Sequence, residues 1–293
     1  MGEKMHVDEI EIDEALVRRL LVAQFPEWAD LPLRRVEPAG TVNVIFRLGN
    51  NYSIRLARRD GPTKPDSREL TWLPKLAPLV PLEAPVPIAL GHPNSEYPWF
   101  WSIHTWVEGE TLPIEEIDAI QAARDLAAFV AALQRIDSSS GPPGRGIPLA
   151  QRDKEFQYWL ARFDGDVAAV SKVWESALAA PPWSGPPVWH HGDLDMRNWL
   201  VRNKRITGVI DWDMMGVGDP ACDVMVAWKL HSPAARDAFR EALPTDDATW
   251  ARARGWVVSQ AVAVLAYYTP ENNPVLYHEA KSWLDLVLSE YKI

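Results

Sequence analysis

The hydrophobic period of this chain changes near residue 108, and that change limits the folds open to it. Residues 13–25 carry Leu16, Val17, Leu20 and Leu21 at helical spacing. Asp13 stands where an N-cap belongs, and Pro26 is a stop. Short alternating runs follow at 33–37, 43–48, 52–57, 86–91 and 100–107, and their period of two predicts strands. Gly49-Asn50-Asn51 reads as a tight turn between two of them. One helix is expected at 67–76. Beyond Glu108-Gly109-Glu110 the pattern turns helical, at 114–136, 153–164, 167–180, 221–231, 233–242, 247–267 and 274–291. Two stretches interrupt it: 138–148 is a loop by composition, and 188–211 reads as short strands around a loop. The expectation is an α+β fold. Residues 1–107 would form a helix plus a five-stranded antiparallel sheet, and residues 108–293 a larger helical part.

Composition narrows the function classes. The 293 residues, 47% hydrophobic and 24% charged, suit a soluble globular chain of one large domain or two lobes. A net charge of −10 without a basic stripe argues against nucleic acid as a partner, because phosphate neutralisation needs clustered Lys and Arg. Cys222 is the only cysteine, so an intrachain disulfide and a cysteine-based zinc site are excluded. The N-terminal residues lack the apolar run of a secretory signal, and no stretch has the length of a membrane span. A cytoplasmic monomer without membrane contact is expected. The 15 tryptophans point first to core packing and second to a pocket for a bulky, partly apolar ligand.

The chemistry is concentrated in residues 188–224. His191-Gly192-Asp193 is followed by Asn198, then by Val209-Ile210-Asp211 at the end of an apolar run, then by Gly218-Asp219-Pro220 and Asp223. Phosphoryl transfer needs a group beside the attacking hydroxyl and oxygen ligands for a metal on the nucleotide phosphates. Asp193 on a loop can accept the hydroxyl proton, while Asn198 and Asp211 offer an amide oxygen and a carboxylate of the kind magnesium takes. The combined pattern resembles the catalytic core of the aminoglycoside phosphotransferase family, which includes macrolide phosphotransferases and shares the protein-kinase-like bilobal fold.

The resemblance implies roles along most of the chain. Asp193 would be the catalytic base, His191 would orient its loop, and Asn198 and Asp211 would hold Mg²⁺. Asp219 would cap the helix near Pro220, and Asp223 would buttress the loop. In the first hundred residues, Gly40, Thr41 and Asn43 fall where the family covers the nucleotide phosphates. Arg55 stands where kinases carry a strand lysine, with Glu69 as its ion-pair partner. Thr105, Trp106 and Val107 fall where backbone groups meet the purine of ATP or GTP. Asp195-Met196-Arg197 departs from the residues often seen in this loop. For the acceptor, Asp195, Asp246, Asp247 and Glu271 are candidates to face cations, and Trp228, Trp256, Tyr267 and Tyr268 to line an apolar trough.

The reading that follows is a kinase acting on a hydroxyl of an aminoglycoside or macrolide antibiotic. A metabolic kinase on choline-like or sugar substrates is the alternative. A non-catalytic nucleotide-binding module is disfavoured, since Asp193, Asn198 and Asp211 are all present. A plain ATP hydrolase is disfavoured by the lack of a Walker-type loop.

Overall fold

A computed structural model describes residues 10–36, 43–62 and 67–291. The chain divides into two compact units, one of residues 1–78 and 83–108, the other of 79–82 and 109–293. In the first, helix α1 (Glu14–Gln24) begins where the Asp13 carboxylate accepts from the Leu16 amide at 2.7 Å. Such a cap contributes about 1 kcal/mol. Strands β1 (Leu33–Arg35), β2 (Asn43–Leu48), β3 (Tyr52–Ala57), β4 (Pro87–Gly91) and β5 (Trp101–Thr105) form one antiparallel sheet in the order β1-β2-β3-β5-β4. Alternation buries Val44, Phe46 and Leu48 on one face of β2. They join Leu16, Val17, Leu20 and Leu21 of α1 in one apolar cluster, which is why the helical and strand periods coexist here. Helix α2 (Ser67–Leu76) follows the third strand.

The second unit is mostly helical. Its helices are α3 (Ala119–Arg135), α4 (Asp153–Leu160), α5 (Val167–Ala179), α6 (Ala221–Val224), α7 (Val226–Lys229), α8 (Pro233–Ala242), α9 (Asp247–Tyr267) and α10 (Pro274–Ser289). Between them lie two small antiparallel pairs: β6 (Val188–His190) with β9 (Gly216–Gly218), and β7 (Trp199–Arg202) with β8 (Arg205–Val209). The helix expected at 114–136 starts later, because Asp118 caps α3 through the Gln121 amide and Ile117 is extended. The helix expected at 221–231 is two short pieces, ending at His231 with φ +55°. Trp174, Trp189, Trp199, Trp212, Trp228 and Trp256 are all fully buried, so much of the tryptophan content serves packing. Among the described residues, no helix is long and apolar enough to cross a membrane.

Candidate active site

The loop between β6 and β7 carries Asp193, and its shape is fixed from below. Gly192 has φ +87°, and a Cβ there would sit 2.5 Å from the Met214 carbonyl oxygen, so only glycine fits. Asp223, fully buried in α6, takes the amides of His191 at 2.7 Å and Gly192 at 2.8 Å on its two oxygens. Burial pushes its carboxyl up to about 6, and these two amides pull it back. His191 is fully buried. Its Nε2 donates to the Ile210 carbonyl at 3.1 Å, and its Nδ1 accepts from the Asp193 amide at 3.2 Å. Both bonds suit one neutral tautomer, and burial lowers the ring's pKa to about 4. His191 therefore links the loop to the end of β8 and carries no proton for transfer. Trp212 packs edge-on against its ring, with centroids 4.8 Å apart.

Asp193 itself is held from two sides. Arg145 Nη1 donates to its Oδ1 at 2.7 Å and to the Gly192 carbonyl at 3.1 Å. Asn198 Nδ2 donates to the Asp193 carbonyl at 3.0 Å and to its Oδ2 at 3.3 Å. That use of the amide nitrogen leaves Oδ1 as the acceptor end of Asn198. Asp211 is exposed just past β8, with φ +64°, a conformation that costs a non-glycine residue energy and recurs at functional sites. Asn198 and Asp211 each carry an oxygen of the kind that could take a magnesium ion. Asp219, by contrast, is spent on structure. It accepts from the Ala221 amide and binds Arg252 of α9 through both oxygens.

Arg145 was not foreseen. The signal was a single arginine between two glycines in a segment that composition assigns to loop. That segment lies along β9: Val217 donates to the Pro142 carbonyl, Gly144 to Val217, and Asp219 to Gly146. Gly144 and Gly216 are so close that a Cβ on either would overlap the other's backbone. The approach of two backbones is what delivers Arg145 to Asp193. Below it, the buried trio His190, Cys222 and Asp223 lies within 4.8 Å. Its members are engaged in bonds to Gly146, Gly192 and His191, so it reads as packing and not as a metal site.

In the first unit Arg55 Nη1 and Glu69 Oε1 form an ion pair at 3.5 Å, both largely buried. Asn43 opens β2 opposite Ala57. Gly40 and Thr41 lie outside the described residues. The Thr105 and Trp106 amides donate to the Val86 and Asn51 carbonyls at 2.8 and 2.7 Å, so a purine would have to read other backbone groups near Val107.

Of the acceptor residues expected from sequence, the buried Asp195, Trp228 and Trp256 need correction. Asp195 is 1% exposed and bound to Lys229 Nζ at 3.2 Å and Arg197 Nε at 2.7 Å, which together hold its carboxyl far below the usual range despite burial. It faces internal cations instead of a ligand. Trp228 is fully buried, donating to Glu290 and packed on Trp250, and Trp256 is buried as well. Asp246 caps α9 through the Thr249 amide, and Asp247 pairs with Arg240. Tyr267 is 63% exposed against Trp159 and Tyr268, and Glu271 is an exposed carboxylate beside Thr269. None of these lines the cavity of about 400 Å³ beside the Met196–Arg197 turn.

A family model described as the phosphotransferase enzyme family matches residues 35–256, about three quarters of the chain. The chain belongs to this family. An aminoglycoside 3'-phosphotransferase of Escherichia coli is 29% identical over 119 residues, covering 35% of this chain and 41% of that relative, well short of the relative's full length. The fold is also that of solved members. The GDP complex of aminoglycoside 2'-phosphotransferase-IIIa superposes with a TM-score of 0.68 at 15% identity, covering 96% of this chain and all of that one. The macrolide 2'-phosphotransferase of Brachybacterium faecium, solved as the apoenzyme, gives 0.60 at 24%, covering 94% and 97%. For this family member the α+β, kinase-like architecture is thereby established.

Proposed function

We propose that this family member is a small-molecule kinase. It would move the terminal phosphate of ATP or GTP to a hydroxyl of an antibiotic, an aminoglycoside or a macrolide. The observation that carries the reading is Asp193 itself, a partly exposed carboxylate aimed by Arg145 and Asn198 on a loop pinned by Asp223. A carboxylate so held can accept the hydroxyl proton as the new P–O bond forms, with its position and not its basicity as the main contribution. Arg145 keeps Oδ1 oriented, and Oδ2, with one long contact to Asn198 at 3.3 Å, has a lone pair left to meet the hydroxyl. Asn198 and Asp211 would hold Mg²⁺, which would supply positive charge to offset that of the nucleotide phosphates. Arg55, steadied by Glu69, would bind the phosphates from the sheet unit as the counterpart of a strand lysine. Relatives described as GDP and kanamycin complexes support a nucleotide and an antibiotic as the two substrates. The fully buried, free Cys222 suits a reducing cytoplasm.

The test is nucleotide binding with and without magnesium. Thermal unfolding should shift upward with MgATP or MgGTP, since a ligand of the native state stabilises it. Asp211→Asn should lose most of the magnesium-dependent part of that shift while keeping the apo melting temperature. An unchanged shift would remove Asp211 from the metal site.

A further inference from the structure

The cavity beside the catalytic loop has one feature that folding does not explain. Its walls are the Thr111–Glu115 segment, the Met196–Arg197 turn, His231 and one face of α10. Leu112, Pro113, Ile114, Met196 and Val275 make much of it apolar. Glu279 lines it at 8% exposure, and its Oε2 is buried without a hydrogen-bond partner among the described residues. A buried carboxyl oxygen left unpaired costs stability, so an unpaired one in a cavity marks where a donor is to be supplied.

We propose that this cavity holds the acceptor substrate through Glu279, and that the acceptor is a mostly apolar molecule with one basic amine, not a polycation. The proposal rests on the kinase reading for the word acceptor, while the binding site stands on the cavity. The charges around Glu279 decide the class. From the loop turn come Asp195 and Arg197, from α7 Lys229, from the turn before α3 Glu115, and from α10 itself His278. Asp195 is consumed by Lys229 and Arg197. His231 adds no charge: its Nε2 accepts from Trp283 Nε1 at 3.0 Å, and burial lowers its pKa. One ammonium therefore finds one buried open carboxyl oxygen, while Glu115, the other carboxylate of the lining, is exposed to water and screened by it. Further ammonium groups would meet the Arg197 cation in the cavity wall, which disfavours them.

A second consequence concerns protons. Burial first, and then Asp195, hold the Glu279 carboxyl up to about 7. An ammonium beside Oε2 favours the ionised form, so binding near neutral pH should release protons.

The experiment titrates the full chain with three probes: a macrolide bearing a single dimethylamino sugar, the N-oxide of that macrolide, and kanamycin. Calorimetry is run near neutral pH in buffers of different ionisation heat, and phosphorylation is assayed separately. The macrolide should bind with proton release, the N-oxide and kanamycin roughly tenfold or more weakly. Glu279→Gln should abolish the proton release and weaken the macrolide by roughly tenfold to a hundredfold, with the loss in turnover falling on KM more than on kcat. Val275→Trp, at an exposed position on the rim, should also weaken it by filling the cavity. Tighter binding of kanamycin, no binding of the macrolide, or equal affinity in Glu279→Gln would overturn the proposal. Amine-dependent binding without phosphate transfer to any probe would leave this site standing and defeat the kinase reading. Transfer to the macrolide that ignores Glu279 would do the reverse.

Discussion

Asp193 owes its position to two neighbours that do different work. Asn198 ties both its backbone and its carboxylate from within the loop, and Arg145 grips Oδ1 from a segment 48 residues away in sequence. Asp193→Ala should lower the transfer rate by roughly 10²–10⁴, the usual worth of a positioned acid–base group, with nucleotide affinity nearly intact. Stopped transfer kinetics together with nucleotide titration check both halves. Arg145→Ala should lower kcat by roughly tenfold to a hundredfold, because a carboxylate free to swing is poorly placed for attack. Arg145→Lys should recover part of the loss, and equal rates for all three proteins would show that the ion pair plays no part in positioning. Asp193, Asn198 and Asp211 can be singled out as candidates from sequence because they lie in one contiguous segment. Arg145 was hidden because its partner is distant and its own segment has the composition of an ordinary loop.

At the level of elements, the catalytic loop is hung on α6. Asp223→Ala would leave two buried amides without acceptors, at about 1–3 kcal/mol for each. Asp223→Asn keeps one acceptor oxygen and should fall between the two. Urea unfolding of the three proteins gives the order, and an unaffected midpoint for Asp223→Ala would contradict the role assigned to it. Helix α10 makes the opposite prediction. The Glu279 carboxyl is raised from 4.5 to about 7 in the fold. An acid raised on folding stabilises fully below its unfolded value, and that contribution is lost as pH rises through the folded one. Glu279→Gln should therefore gain stability relative to the natural protein as pH goes from about 4.5 to above 7, by about 3 kcal/mol at most. Melting curves across that window test it, and a stability gap independent of pH would contradict it. Element type was readable from period for most helices and strands. Facing was not: α9 is buried almost all round from Gly255 to Val262, so its sequence gave no hint of which side a ligand could reach. That is why the period alone places Trp256 at an acceptor site while the fold places it in the core.

For the molecule as a whole, the change of period near residue 108 matches the division into two compact units, which part after Glu108. The cavity beside the Met196–Arg197 turn is illegible in sequence because four separated segments assemble it, and the internal ion pair of Asp195 with Lys229 looks from sequence like two unrelated charges. The most direct measurement incubates the full-length chain with magnesium and ATP or GTP against a panel of aminoglycosides, macrolides, choline and simple sugars, and weighs every acceptor afterwards. An antibiotic that gains the mass of one HPO₃ with the natural protein, and not with Asp193→Ala, is the result expected. Phosphate appearing only on choline or a sugar, or on no acceptor at all, would contradict the antibiotic-kinase account.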